Sequence, residues 1–204
     1  IPLPEGTQKI TFTSGSTGTP RGVCLATAQQ LRVAEVLQDV LQLQAPRHLC
    51  LLPLSTLLEN VGGIYLPLMA NGTVIVPPAT ATGFSGSTGL DLPRLIWALE
   101  RHRPTSIILL PQMLVGLVSC LEAGWRPPEE LRFAAVGGAR VDAELLWRAR
   151  QLGLPVYEGY GLSETGSVCC LNRPGDEQVG SVGKPLKHVS ISIEAGEILV
   201  SGNT

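Results

Sequence analysis

Short runs of leucine, isoleucine and valine alternate along most of the chain with segments of helical periodicity, and this alternation limits the folds open to it. Strands are predicted at residues 8–13, 48–54, 73–77, 106–111, 132–138 and 155–161. Helices are predicted at 27–43, about 59–70, 91–102, 112–123 and 142–152. The first helix sets Leu31, Ala34, Leu37, Val40 and Leu41 on one face. A polar stretch at 79–90 reads as a surface loop, and the tail at 189–202 as a hairpin turning at Ala195–Gly196. Apolar strands separated by amphipathic helices imply an α/β fold: a mostly parallel sheet with helices on both faces. In such sheets ligands bind beyond the carboxyl ends of the strands.

The 204 residues are 44% hydrophobic and 16% charged, enough to bury a core and too apolar for a disordered chain. The net charge of −2 leaves no footprint for nucleic acid. No apolar run is long enough for a transmembrane segment. Cys24, Cys50, Cys120, Cys169 and Cys170 fit no zinc spacing and read as free thiols in a reducing, cytoplasmic setting. His48, His102 and His188 lie far apart in sequence, and nothing in their spacing argues for a metal site.

Three glycine-rich segments fall at predicted strand ends, so one crevice can collect them. The first is Thr13-Ser-Gly-Ser-Thr-Gly-Thr-Pro-Arg-Gly22. Its glycines let backbone N–H groups approach phosphate oxygens, its hydroxyls donate hydrogen bonds and Arg21 supplies charge. It reads either as a polyphosphate cradle or as a plain flexible turn. It is not a Walker A loop, since Pro20-Arg21 stands where Gly-Lys is required. The same five letters recur at Ser85-Gly-Ser-Thr-Gly89 without a preceding apolar strand or a following Pro-Arg-Gly, and that copy reads as a mobile loop. The second segment, Tyr157-Glu-Gly-Tyr-Gly-Leu-Ser-Glu-Thr-Gly166, offers a flat face at Tyr160, a hydroxyl at Ser163 and an oxygen ligand for a hard cation at Glu164. It also reads as a strand end followed by an ordinary helix start. The third, Val136-Gly-Gly-Ala139, can pass an adenine edge or simply turn the chain.

Taken together, these segments resemble the superfamily of acyl-CoA synthetases, adenylation domains and luciferases. Thr13–Gly22 is similar to its phosphate loop, with Arg21 where lysine is usual. Tyr160–Thr165 is similar to its Tyr-Gly-x-Thr-Glu segment, with Ser163 in place of threonine. Gly137–Ala139 is similar to the Gly-Gly turn that precedes it. Gly180-Ser-Val-Gly-Lys-Pro-Leu186, followed by Gly196-Glu-Ile-Leu-Val200, completes the order. Leu52-Pro-Leu-Ser-Thr-Leu-Leu-Glu59 resembles a stretch of the long-chain fatty acyl-CoA synthetase branch, with Thr56 where that branch has histidine.

The resemblance implies an ATP-dependent, AMP-forming acid–thiol ligase. A small-molecule carboxylic acid, expected to be a fatty acid, becomes an acyl-adenylate and is then passed to coenzyme A. The alternatives are amino-acid or aryl-acid adenylation for a carrier protein, or a non-catalytic nucleotide-binding fragment. It assigns Thr13, Ser14, Gly15, Ser16, Thr17, Gly18 and Arg21 to phosphate binding. Gly137, Gly138, Ala139, Glu158, Gly159, Tyr160 and Gly161 are assigned to adenine. Ser163 and Glu164 are assigned to catalysis, with Glu164 as the Mg²⁺ ligand. The superfamily's large domain is about twice this length, and its ribose-binding Thr-Gly-Asp segment and mobile lysine-bearing domain have no counterpart here. Residues 1–204 are therefore expected to be part of an AMP-binding domain, inactive when isolated.

Overall fold

The computed structural model describes residues 2–13, 19–85 and 89–202. The chain begins with strands β1 (Lys9–Thr13) and β2 (Arg21–Leu25), followed by helix α1 (Thr27–Leu41) and strand β3 (Arg47–Leu49). A π-helix at Glu59–Tyr65 runs straight into α2 (Leu66–Met69) and β4 (Thr73–Ile75). The short strands β5 (Phe84–Ser85) and β6 (Gly89–Leu90) come next. They lead into an alternating series: α3 (Leu92–His102), β7 (Ser106–Leu109), α4 (Pro111–Glu122), β8 (Phe133–Val136), α5 (Ala143–Gln151) and β9 (Val156–Leu162). Strands β10 (Ser167–Leu171), β11 (Lys184–Pro185), β12 (Val189–Glu194) and β13 (Glu197–Gly202) follow.

Seven strands form the main sheet in the order β11-β10-β9-β8-β7-β3-β4. From β9 to β4 every pairing is parallel, and β10 and β11 add an antiparallel edge. The mostly parallel sheet expected from the sequence is present. Its two faces can be read from a single strand: Ala134 and Val136 of β8 join one apolar cluster and Phe133 joins the other, while Ala135 packs against both. That division is the two-residue period of a strand. The first cluster holds Leu95 and Leu99 of α3, Met113 and Leu117 of α4, and Leu146 of α5. The second holds Val33 and Leu37 of α1 with Val61 and Leu66 of the π-helix and α2. Helices α3–α5 thus cover one face, and α1 with the π-helix covers the other.

Four sequence expectations need correction. Residues 8–13 do not enter the parallel sheet: β1 pairs antiparallel with β2 in a separate ribbon, from Lys9 opposite Leu25 to Thr13 opposite Arg21. In α1 the buried positions are Gln30, Val33, Ala34, Val36 and Leu37, whereas Leu31, Val40 and Leu41 are only half-buried. The buried face is rotated from the one drawn, because Val33 and Val36 outrank Leu31 and Leu41 once the sheet and the π-helix flank the helix. The stretch 79–90 is not all loop, since β5 and β6 pair across it; residues 86–88 of the second Ser-Gly-Ser-Thr-Gly copy lie outside the described residues. The predicted helix at 59–70 is π-wound over its first seven residues.

Candidate active site

A crevice of about 460 Å³ opens at the carboxyl ends of β8 and β9. Strand β9 is longer than its neighbour: the last β8 pairing is Val136 with Glu158, so residues 159–162 carry one edge unpaired by β8. Tyr160 and Gly161 stand on that overhang and line the crevice together with Gly137, Gly138, Gly159 and Ser163. The backbones come close where β8 ends. A Cβ on Gly137 would lie 3.1 Å from the Gly159 carbonyl oxygen, and Gly138 turns the chain with φ +83°. Burial, with Cys169, Cys170 and Glu164 nearby, pushes the Tyr160 phenol above its ordinary range, so it stays a neutral, flat platform.

After β9 the chain makes a single 3-10 turn, Ser163–Thr165, ended by Gly166 at φ +78°. Ser163 lines the crevice, while Glu164 is exposed beside it and outside the lining. The expected helix start is thus only a turn. Glu158 faces elsewhere. Burial raises its carboxyl, the Val141 amide N–H and Arg140 oppose that rise, and Glu158 lines a neighbouring cleft with Arg140 and Asp142. Ala139 is exposed and lies outside the crevice lining, as does Arg21. Thr13 and Arg21 face each other at the end of the β1–β2 ribbon, with the Thr13 hydroxyl 3.5 Å from the Arg21 carbonyl oxygen. Both therefore flank the phosphate-loop segment. Ser14, Gly15, Ser16, Thr17 and Gly18 themselves lie outside the described residues.

The opposite wall holds residues the glycine motifs did not reveal: Thr11, Phe12 and the loop Ser55–Leu58. Thr56, the departure from the resembled histidine, lies in this wall. A polar brace fixes the loop. His48 Nδ1 meets Ser106 Oγ at 3.0 Å and its Nε2 meets Glu59 Oε1 at 2.9 Å. Glu59 Oε2 accepts the Leu52 amide N–H at 3.0 Å, and Asn60 Nδ2 donates to the Leu54 carbonyl at 2.7 Å. Lys9 of β1 donates to Asn60 Oδ1, joining the root of the ribbon to the same brace. Cys50 lies alongside, its thiol pushed up by burial and by the Glu59 carboxylate. His48, Cys50 and Glu59 present ligand atoms within 4.8 Å of one another. Both imidazole nitrogens are already engaged, so the trio acts as a hydrogen-bonded brace.

A second, apolar chamber of about 40 Å³ shares Leu58, Ala135, Val168 and Leu171 with the crevice and reaches inward to His48 and Ser106. Strand β10 supplies two of those walls. Its five-residue run between Gly166 and Asn172 is entirely buried, and its lack of alternation kept this strand from being predicted.

A glycine-edged crevice thus lies at the carboxyl ends of parallel strands in a doubly covered α/β sheet, with an aromatic platform and a hydroxyl at its rim. The chain belongs to the AMP-binding enzyme family, whose family model matches residues 3–204. It is 30% identical to a 2-succinylbenzoate–CoA ligase of Bacillus pumilus over 96% of this chain and 40% of that protein. It is 29% identical to an indoleacetate–CoA ligase of Aromatoleum aromaticum over 98% of this chain and 40% of that one. Among solved structures it is similar to the o-succinylbenzoate CoA synthetase of Bacillus subtilis in complex with its acyl-adenylate intermediate. That likeness has a TM-score of 0.79 and 29% identity, covering 97% of this chain and 52% of the other. The same enzyme in complex with ATP and magnesium ion superposes with a TM-score of 0.76, at 29% identity over 95% of this chain and 40% of that one. The chain thus spans about 40% of the length of the relatives it matches.

Proposed function

We propose that this chain provides the nucleotide and acyl crevice of an ATP-dependent, AMP-forming acid–thiol ligase. The observation that carries the reading is the convergence of Gly137–Gly138, Tyr160 and Ser163 on one crevice at the ends of β8 and β9. Tyr160 and the two glycines frame adenine, and the Ser163 hydroxyl donates to the α-phosphate. Thr13, Arg21 and the loop between them hold the outer phosphates, Arg21 with a planar fork in place of a lysine point charge. The acid's carboxylate attacks the α-phosphorus, the pyrophosphate departs, and coenzyme A thiol then displaces AMP from the acyl-adenylate. Positioning and neutralisation of charge are the chain's contribution to such a step.

An exposed carboxylate beside the phosphate-facing hydroxyl is a donor suited to a hard cation. Glu164 would hold Mg²⁺, which supplies charge neutralisation on the triphosphate. Gly159 and Gly161 let β10 approach β9 closely, which holds Tyr160 in place at the crevice. Glu158 serves through its backbone: its carbonyl accepts the Asn172 amide N–H at 2.9 Å, which fixes the strand behind Tyr160.

The acid in this reading has an uncharged, apolar body. No acidic side chain lines the crevice or the inner chamber among the described residues, which disfavours an amino-acid substrate. The chamber's small volume and the aryl acids named for the relatives favour a flat aryl acid. The Leu52–Glu59 segment supports a fatty acid as the second reading.

Calorimetry with non-hydrolysable acyl-adenosine sulfamates separates the two. Tighter binding of the aryl compound than of the long-chain one is expected, and the reverse order would select the fatty acid. Glu164→Gln is expected to weaken Mg²⁺-dependent ATP binding by about tenfold or more while leaving the melting temperature within a degree or two, since an exposed side chain on a single turn contributes only about 0.5 kcal/mol to stability. Unchanged Mg²⁺ dependence would remove Glu164 from the site.

A further inference from the structure

Between the turn that bears Ser163 and Glu164 and strand β10 the chain is held in an unfavourable conformation. Ser167 has φ +128°, a region that residues with a Cβ rarely adopt, and it is buried and lines the crevice. Immediately beyond it the β9–β10 register shifts between Val168 and Cys170, so Cys169 sits in a bulge. A bulge re-aims the side chain it contains. Here the Cys169 Sγ, fully buried, lies 3.0 Å from the Thr165 hydroxyl across the strained residue. Thr165 Oγ1 also lies 3.0 Å from the Leu162 carbonyl oxygen. A hydroxyl has one proton, and only a proton can join it to a carbonyl. Thr165 therefore donates to Leu162, and Cys169 S–H donates to Thr165. The chain Cys169 S–H to Thr165 O–H to Leu162 C=O spans the Ser163–Thr165 turn from both ends.

We propose that Cys169 is a positioning residue for the phosphate-facing turn: its thiol proton, relayed through Thr165, fixes Ser163 and Glu164 against the strain at Ser167. The link from this relay to phosphate binding rests on the function proposed above; the relay itself does not. The requirement is for a donor at position 169, because an apolar side chain of similar size leaves Thr165 bonded only to Leu162 and removes the hydrogen bond that ties the turn, across Ser167, to β10.

The test uses the 204-residue chain with Cys169→Ala, Cys169→Ser, Thr165→Val and the Cys169→Ala/Thr165→Val double variant. Amide hydrogen exchange reads the turn directly, most clearly at Gly166, whose N–H donates to the Ser163 carbonyl at 3.1 Å. Cys169→Ala and Thr165→Val are each expected to speed exchange across residues 163–167 by about five- to tenfold, the scale of one hydrogen bond, with β7 and β8 unchanged. The double variant should be no faster than Thr165→Val alone, because that single change already removes both hydrogen bonds of the relay. Cys169→Ser keeps a donor and should restore slow exchange. A Cys169→Ala chain that exchanges like the wild type overturns the proposal. So does a Cys169→Ser chain as fast as the alanine variant, which would mean that bulk matters and the proton does not. Mg·ATP titrations on the same proteins should show weaker binding for alanine and not for serine, and equal binding despite a loosened turn overturns the link to the phosphate site. If the wild-type chain takes up no Mg·ATP, the proposed function falls, while the exchange data still decide the relay.

Discussion

Gly161 pairs with Val168, next to the strained Ser167, with almost no space between the backbones. A Cβ at that position would lie 1.8 Å from the Ser167 carbonyl oxygen, closer than any contact a side chain can make. Gly161→Ala must therefore push β9 and β10 apart exactly where Tyr160 and Ser163 face the crevice. It is expected to cost about 1–3 kcal/mol by urea denaturation and to weaken adenosine binding, as overpacking forces the backbone to shift. The neighbouring Glu158 makes a different demand. Burial holds its carboxyl above the usual range, so the folded state favours the protonated form. Its charge then costs stability above the unfolded value, near 4.3, and the cost grows as pH rises toward the folded value. Glu158→Gln is expected to raise the melting temperature at pH 7 and to lose that advantage near pH 4. A gain that persists at pH 4 would mean the charge is not the cause. The sequence marked both residues for their likeness to one motif. It could not show that Ser167, six positions on from Gly161, is what forbids a side chain there.

At the scale of elements, the π-helix has the clearest mechanical role. Glu59 and Gly63, four positions apart, lie on the same side of it, against His48. A Cβ on Gly63 would lie 2.2 Å from Glu59 Oε1 and 2.7 Å from His48 Nε2, so the buried pair occupies the space that this glycine leaves. Gly63→Ala is expected to destabilise the chain by about 1–3 kcal/mol, read as a lower urea midpoint with an unchanged slope. A neutral result would show that the pair can move without loss. Regular elements were legible wherever a local period existed. Helix α4 is predicted at 112–123 and found at Pro111–Glu122, and the tail hairpin turns at Ala195–Gly196 as expected. Strands β2 and β10 were missed because neither alternates: β10 is buried on both faces, and β2 is named only by its pairing with β1. The π-winding was equally hidden, since no local period in the sequence distinguishes it from an α-helix.

At the scale of the whole molecule, one sheet with two helix layers carries most of the crevice, and among the described residues three two-stranded ribbons pair separately from it. On the β12–β13 ribbon Ile193 is 74% exposed and lies opposite Ile198, itself 51% exposed. Exposed apolar pairs on a two-stranded ribbon invite association. Ile193→Lys is expected to lower self-association in sedimentation velocity without shifting stability by more than about 0.5 kcal/mol. A large loss of stability would mean the ribbon packs on something within the chain. Among the described residues no helix is long and apolar enough to cross a membrane. The sequence by itself determined the alternation of strands and helices, the parallel sheet, and the glycine turns that open at its carboxyl end, because each is written in residues a few positions apart. Only the tertiary structure decided which of the marked residues share the crevice. It sets Ser163 in the wall and leaves Glu158 facing another cleft. It joins His48 to Ser106, 58 positions on, and Lys9 to Asn60, 51 positions on. Contacts at such separations are made by the packing of whole layers, and no local pattern of side chains encodes them.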